Sequence, residues 1–282
     1  MNKFSDRIGI TTPPKEIQLS EMTAELRHSI WNVIATSLEG EEWTRALRFL
    51  YIRHFKLPID NMPDNLWLAR KELFEKFTEA PWYDVYNITE LLLNHINVLT
   101  EHRVSSSAFE QELNTVLTWE LSGFKGVNGL IVPISDNVEA DNIRESLNLN
   151  DKYAGAREHI SQALRLLSEK PHPDYRNSIK ESISAVESIV KIQSGHLTAK
   201  SVDKPLATLV ETLNLHPLLK KAFSHLYSYS SDESGIRHAI LEQAEIGFPE
   251  AKYMLVSCSA FLNFLVLKDR SIGSQKHITH AL

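Results

Sequence analysis

Apolar side chains recur every three to four positions along most of this chain, the period of helices that bury one face. In TAELRHSIWNVIATSL, Leu26, Ile30, Val33, Ile34 and Leu38 form one stripe. In EWTRALRFLYIRHF, Trp43, Leu47, Leu50, Tyr51 and Phe55 form a second and predict a helix over 43–56. Leu66, Leu73, Phe74 and Phe77 predict a third, ending before Pro81, and two more are predicted over 83–99 and 106–120. The period changes in SGFKGVNGLIVPIS, where Asn128 and Gly129 stand between short apolar runs. Both central positions of a two-residue hairpin turn need positive φ, which Asn and Gly tolerate best. A β-hairpin is therefore predicted near 123–135. Helical period resumes over 137–148 and 152–168.

EKPHPD, residues 169–174, breaks the pattern with two prolines. Asp174 can then cap a long helix reaching about 193, with Tyr175, Ile179, Ile183, Val186 and Val190 on its stripe. Further helices are predicted at about 203–213, 217–229, 235–246 and 249–268. The last residues, SIGSQKHITHAL, are polar and read as a flexible tail over 271–282. The predicted fold is mostly α: a helical N-terminal domain over 1–150 with one small hairpin, then a helical bundle over 151–270.

Composition narrows the function classes. The 282 residues are 43% hydrophobic and 23% charged, enough to bury a real core. Net charge is −6, so an RNA contact would have to come from a local basic patch. Cys258 is the single cysteine, which excludes an internal disulfide. It lies in the apolar run YMLVSCSAFLNFLVL and reads as a buried thiol in a reducing compartment. The N-terminus, MNKFSDRIGITTPP, has no signal-peptide core. The 254–267 run is short for a membrane span and is interrupted by Ser257, Ser259 and Asn263. These features place the protein in the cytoplasm, with no membrane partner. There is no cysteine pair, no HExxH, no GxxxxGK, no GxGxxG and no GxSxG, so neither metal nor cofactor is expected. Trp31, Trp43, Trp67, Trp82 and Trp119 occur mostly at helical spacing and read as core.

Two stretches carry candidate chemistry. The first is SSDESGIRHAILE, residues 230–242, where Ser230 and Glu233 have the spacing of a capping box. On the helix it would start, Ile236, Ile240, Leu241 and Ala244 share one face, and Arg237 falls inside it. A guanidinium there needs an anion, because it cannot shed its proton. That anion is either a phosphate or an internal carboxylate such as Glu187. His238 lies at the edge of the stripe. The second stretch is the 43–56 helix, where Arg45, Arg53 and Lys56 cluster opposite the apolar face, flanked by Arg48. This basic patch reads as a grip for an RNA backbone or an acidic partner, or as a solvated face.

DYRNSIKESISAVESIVK, LHPLLKKAFSHLYSYSSDESGIRHA and AKYMLVSCSAFLNFL together resemble the C-terminal domain of AbiJ-like abortive-infection proteins. That domain is similar to HEPN domains, the helical bundles of many prokaryotic toxins and antiphage ribonucleases. FSDRIGI, LRHSIWNVI and FKGVNGLIVPIS are similar to the N-terminal domain that accompanies it. The resemblance implies an antiphage effector that cleaves RNA without metal as a homodimer formed through the C-terminal bundle. It further implies a phage trigger or a defence-system partner. Arg237 and His238 become the catalytic candidates, with Asp232, Glu233, Glu187 and Ser182 in support. The usual signature separates arginine from histidine by several residues, whereas here they are adjacent. The same resemblance also accommodates a bundle that binds RNA or protein without cutting.

Overall fold

The computed structural model describes residues 17–169, 172–231 and 246–279. Contacts divide the chain into two compact units, Met1–Ala140 and Asp141–Leu282. The fold is mostly α with one two-stranded antiparallel sheet.

In the first unit, α1 (Ala24–Ser37) starts at Thr23, whose hydroxyl accepts from the Leu26 N–H at 3.2 Å. Its predicted stripe, Leu26, Ile30, Val33 and Ile34, is buried. α2 (Glu42–Leu50) buries Trp43, Ala46, Leu47 and Leu50. The sequence predicts that this helix runs unbroken to residue 56. Instead, Tyr51–Phe55 form a π-helical turn, closed by Lys56 in the left-handed region at φ 54°. A π-turn inserts extra chain into the helix and shifts the phase of every later side chain. α3 (Leu66–Glu79) begins at the Asn65 cap and ends at Ala80, which is extended because it precedes Pro81. The Arg27 guanidinium closes that end, donating to the Phe77 and Ala80 carbonyls at 2.9 and 2.6 Å. α4 (Trp82–Leu99) and α5 (Ser106–Trp119) complete the helical core.

The hairpin forms where expected. β1 (Lys125–Val127) pairs antiparallel with β2 (Leu130–Val132) in the register Lys125↔Val132, Gly126↔Ile131, Val127↔Leu130. Asn128 and Gly129 take φ of 51° and 84°, as a tight two-residue turn requires.

A second expectation fails in this unit. Trp31 and Trp43 are core residues, but Trp67 and Trp119 are 67% and 66% exposed. Trp67 lies on the first turn of α3 and Trp119 ends α5. Correct period does not ensure burial where a helix end overhangs its neighbours.

In the second unit, α6 (Asn137–Leu147), which carries the division point, is followed by a 3-10 turn at Asp151–Tyr153. Then come α7 (Ala154–Ser168), α8 (Tyr175–Ser194), α9 (Asp203–Thr212), α10 (Pro217–Ser231) and α11 (Phe248–Thr279). Asp174 caps α8 as expected, its Oδ1 accepting from the Asn177 N–H at 3.0 Å. Gly195, at φ 74°, ends the helix in the left-handed conformation. α8 packs chiefly against α7 and α11, and also meets α9 and α10. α11 buries Met254, Leu255, Cys258, Leu262 and Leu265, and burial pushes the Cys258 thiol up to about 12.

α11 bears on two readings. Its helical backbone continues to Thr279, through most of the stretch read as a flexible tail. Propagation adds a hydrogen bond per residue once a helix is nucleated, so polar side chains need not stop it. Its Phe248–Ser271 portion is long and apolar enough to cross a membrane, with mean hydropathy 1.3. Length therefore does not set it apart from a membrane span, and half of its apolar 18-residue window is buried inside the protein.

Candidate nucleic-acid interface

Arg237, His238, Asp232 and Glu233 lie outside the described residues. Two of their expected supports, Ser182 and Glu187, are on α8. Ser182 is fully buried, and its Oγ donates to the Ser178 carbonyl one turn back at 2.8 Å. Glu187 is half-buried and pairs with Lys191 at 3.5 Å. Five positions separate Ser182 from Glu187, or about 140° around the axis, so they do not converge on one point.

The second unit holds two polar pairings that no local motif announced. Asp269 accepts from both Lys152 Nζ and the Tyr153 hydroxyl at 2.8 Å, tying α11 to the turn before α7. His159 Nδ1 lies 2.6 Å from Glu181 across the α7–α8 contact. Residues far apart in sequence make both, so spacing could not reveal them.

The four basic residues expected to form one patch separate into two roles. Arg45 is committed internally: Nε donates to the Leu99 carbonyl at 2.9 Å, and an Nη pairs with Glu101 at 2.7 Å. Arg48, Arg53 and Lys56 are exposed and have no ion-pair partner among the described residues. Exposed Ile52 and Leu57 accompany them in sequence. His54 turns to Asp84 at 3.1 Å, fixing the π-turn to α4.

A further group was missed at the sequence level. Trp67, Arg70, Lys71 and Phe74 follow the i, i+3, i+4, i+7 rule and share one face of α3. With Trp31 of α1 they line a cavity of about 330 Å³. Trp31 meets Phe74 edge-on, ring centres 5.1 Å apart. The Arg70 guanidinium carbon lies 5.0 Å from the Trp43 ring, and Lys71 Nζ lies 5.7 Å from Trp67. The available signal was a pair of cations flanked by aromatic residues on a single helical stripe.

A family model, AbiJ N-terminal domain 4, matches residues 2–149, more than half of the chain. The chain belongs to this AbiJ family. No curated protein and no solved structure matches it. Membership ties the chain to abortive-infection defence, and the exposed cations, the α3 cavity and the hairpin all lie within the AbiJ domain.

Side chains of the AbiJ domain hold its hairpin. Asn114 acts as a surrogate strand, accepting from the Gly126 N–H at 2.7 Å and donating to the Gly126 carbonyl at 2.8 Å. Glu110 accepts from the Gly129 N–H at 2.9 Å, and Glu90 accepts from the Ile131 N–H at 2.6 Å. Burial raises the Glu90 carboxyl above its usual range, and the Ile131 bond opposes that shift. Among the described residues, no three of His, Cys, Asp and Glu gather closely enough to hold a metal.

Proposed function

We propose that this protein is an antiphage abortive-infection effector that cleaves RNA without metal, as a homodimer, in the cytoplasm. The AbiJ domain over residues 2–149 carries this reading. The second unit supports it, being built of packed helices throughout its described elements, as a HEPN-like domain over 151–270 would be. In the proposed reaction His238 takes the proton of a ribose 2′-OH, and the 2′ oxygen attacks the adjacent phosphorus. The bond from phosphorus to the 5′ oxygen breaks, and His238 gives its acquired proton to that oxygen as it leaves. Arg237 neutralises the charge gathering on the phosphate. The product strand ends in a 2′,3′-cyclic phosphate. Asp232 and Glu233, close to the pair in sequence, would orient it. Arg48, Arg53 and Lys56 would hold the RNA backbone, and the AbiJ domain would sense the phage trigger or restrain the nuclease.

Purified protein is expected to cut RNA in the presence of a chelator and leave cyclic-phosphate ends. Arg237→Ala and His238→Ala are each expected to lower the rate at least a hundredfold, the scale of a lost general acid–base group. Both variants cutting at the wild-type rate would remove these residues from the site.

One observation favours a second reading, a non-catalytic RNA- or protein-binding module. Arg237 and His238 are adjacent, and neighbours on a regular helix diverge by about 100°. That reading expects a saturable partner and no cleavage at any protein concentration.

A further inference from the structure

We infer that the cavity on α3 is a nucleotide site, with a base stacked on Trp67 and its phosphate held by Arg70 and Lys71. The inference goes beyond the cleavage reading and does not depend on it.

The shape comes first. Trp67 is 67% exposed and Phe74 39% exposed, so two aromatic rings border the opening while Trp31 closes the inner side. A volume of about 330 Å³ is near the lower limit for small-molecule pockets, room for one nucleotide unit and little more.

Charge then selects the ligand. Arg70 has no ion-pair partner among the described residues, and its guanidinium is already stacked near the Trp43 ring. Lys71 has only Glu75 at 3.6 Å, with both side chains half exposed, a pairing worth little in water. An apolar partner helix would cover both cations without an anion, which is costly. An acidic peptide would satisfy the cations but leave Trp67 without a flat partner. A nucleotide supplies a ring face and a phosphate at a fixed separation, and base–aromatic stacking accepts any base. A neighbouring hollow shares Lys71 and adds Lys76, but Glu72, Glu75 and Glu79 leave it net acidic. Those carboxylates repel a phosphate from that side and direct it toward Arg70.

The test uses the full chain carrying His238→Ala and two probes: adenosine monophosphate and a fluorescent 2′-O-methyl oligoadenylate, which has no free 2′-OH to attack. Failure of RNA cleavage therefore cannot mask or mimic binding. Trp67→Ala and Arg70→Gln are each expected to weaken binding about tenfold or more. Trp67→Phe is expected to recover most of the affinity. Trp119→Ala, which removes an equally exposed ring outside the cavity, should change nothing. Thermal unfolding of each variant separates lost binding from lost fold. Binding of both probes assigns the site to a free nucleotide, and binding of the oligonucleotide alone assigns it to a strand; either supports the inference. If neither probe binds, if the affinities ignore Trp67 and Arg70, or if a polyglutamate peptide alone binds there, the inference is overturned.

Discussion

Lys125 illustrates what burial does to a single charge. It is 1% exposed, and its ammonium donates to Thr118 Oγ1 at 2.8 Å. Burial pulls it down from 10.5 to about 8, against a weaker upward pull from Asp136. The unfolded chain therefore holds a proton that the folded chain has released between about pH 8 and 10.5, so stability from this residue rises with pH across that window. Burial pushes the Tyr51 and Tyr86 hydroxyls up to about 12, which has the opposite sign above pH 10. The clean interval is thus about pH 8 to 10. Urea unfolding at pH 7.5 and 9.5 should show the wild type gaining about 2 kcal/mol at the higher pH. Lys125→Met should abolish that gain and be the more stable protein at pH 7.5, because Thr118 keeps its bond to the Asn114 carbonyl at 2.6 Å. Equal slopes for the two proteins would show that Lys125 does not titrate in this window. Gly129 makes a different residue-scale point. Its positive φ was legible from the Asn-Gly pair, but a Cβ there would also collide with the Asn94 carboxamide, which only the packed structure reveals.

At the scale of elements, the helices were legible because their apolar period survives in sequence. Their ends were legible where a cap is local: Asp174 before α8 and Pro81 after α3 are examples. The cap of α3 itself is long-range. Arg27 reaches it from α1, about fifty positions away in the chain, and burial lowers its guanidinium below the usual arginine range. Arg27→Ala leaves the Phe77 and Ala80 carbonyls without their donor. A loss of about 1–3 kcal/mol is expected, read as a lower urea midpoint, with Arg27→Lys recovering part of it. An unchanged midpoint would mean that water replaces the guanidinium at no cost. The π-turn at Tyr51–Phe55 was not legible, because its residues continue the α period acceptably. It matters because it fixes the phase at which Ile52, Arg53 and Lys56 meet solvent.

At the scale of the whole molecule, the AbiJ domain and the helical second unit lead to one expected outcome in cells. Induction of the wild-type protein should arrest growth and degrade RNA, and His238→Ala should do neither at equal protein level. Arrest by both proteins with intact RNA would favour a binding module over a nuclease. The basic patch shows why such a function is only partly readable from sequence. Helical periodicity correctly put Arg48, Arg53 and Lys56 in solvent, yet it grouped them with Arg45, which the carbonyl ending α4 and the Glu101 carboxylate just after it had already claimed.

Taken alone, the sequence determined the mostly helical class, the hairpin and its turn, and the core stripes of α1, α2 and α8. These depend on periodicity and on the φ preferences of Asn, Gly and Pro, which act over a few residues. Tertiary structure decided which cations remain free, which tryptophans reach the surface, that Lys125 is buried and that α3 carries a cavity. Each of those depends on what a distant element covers, and distance in space leaves no period in the chain.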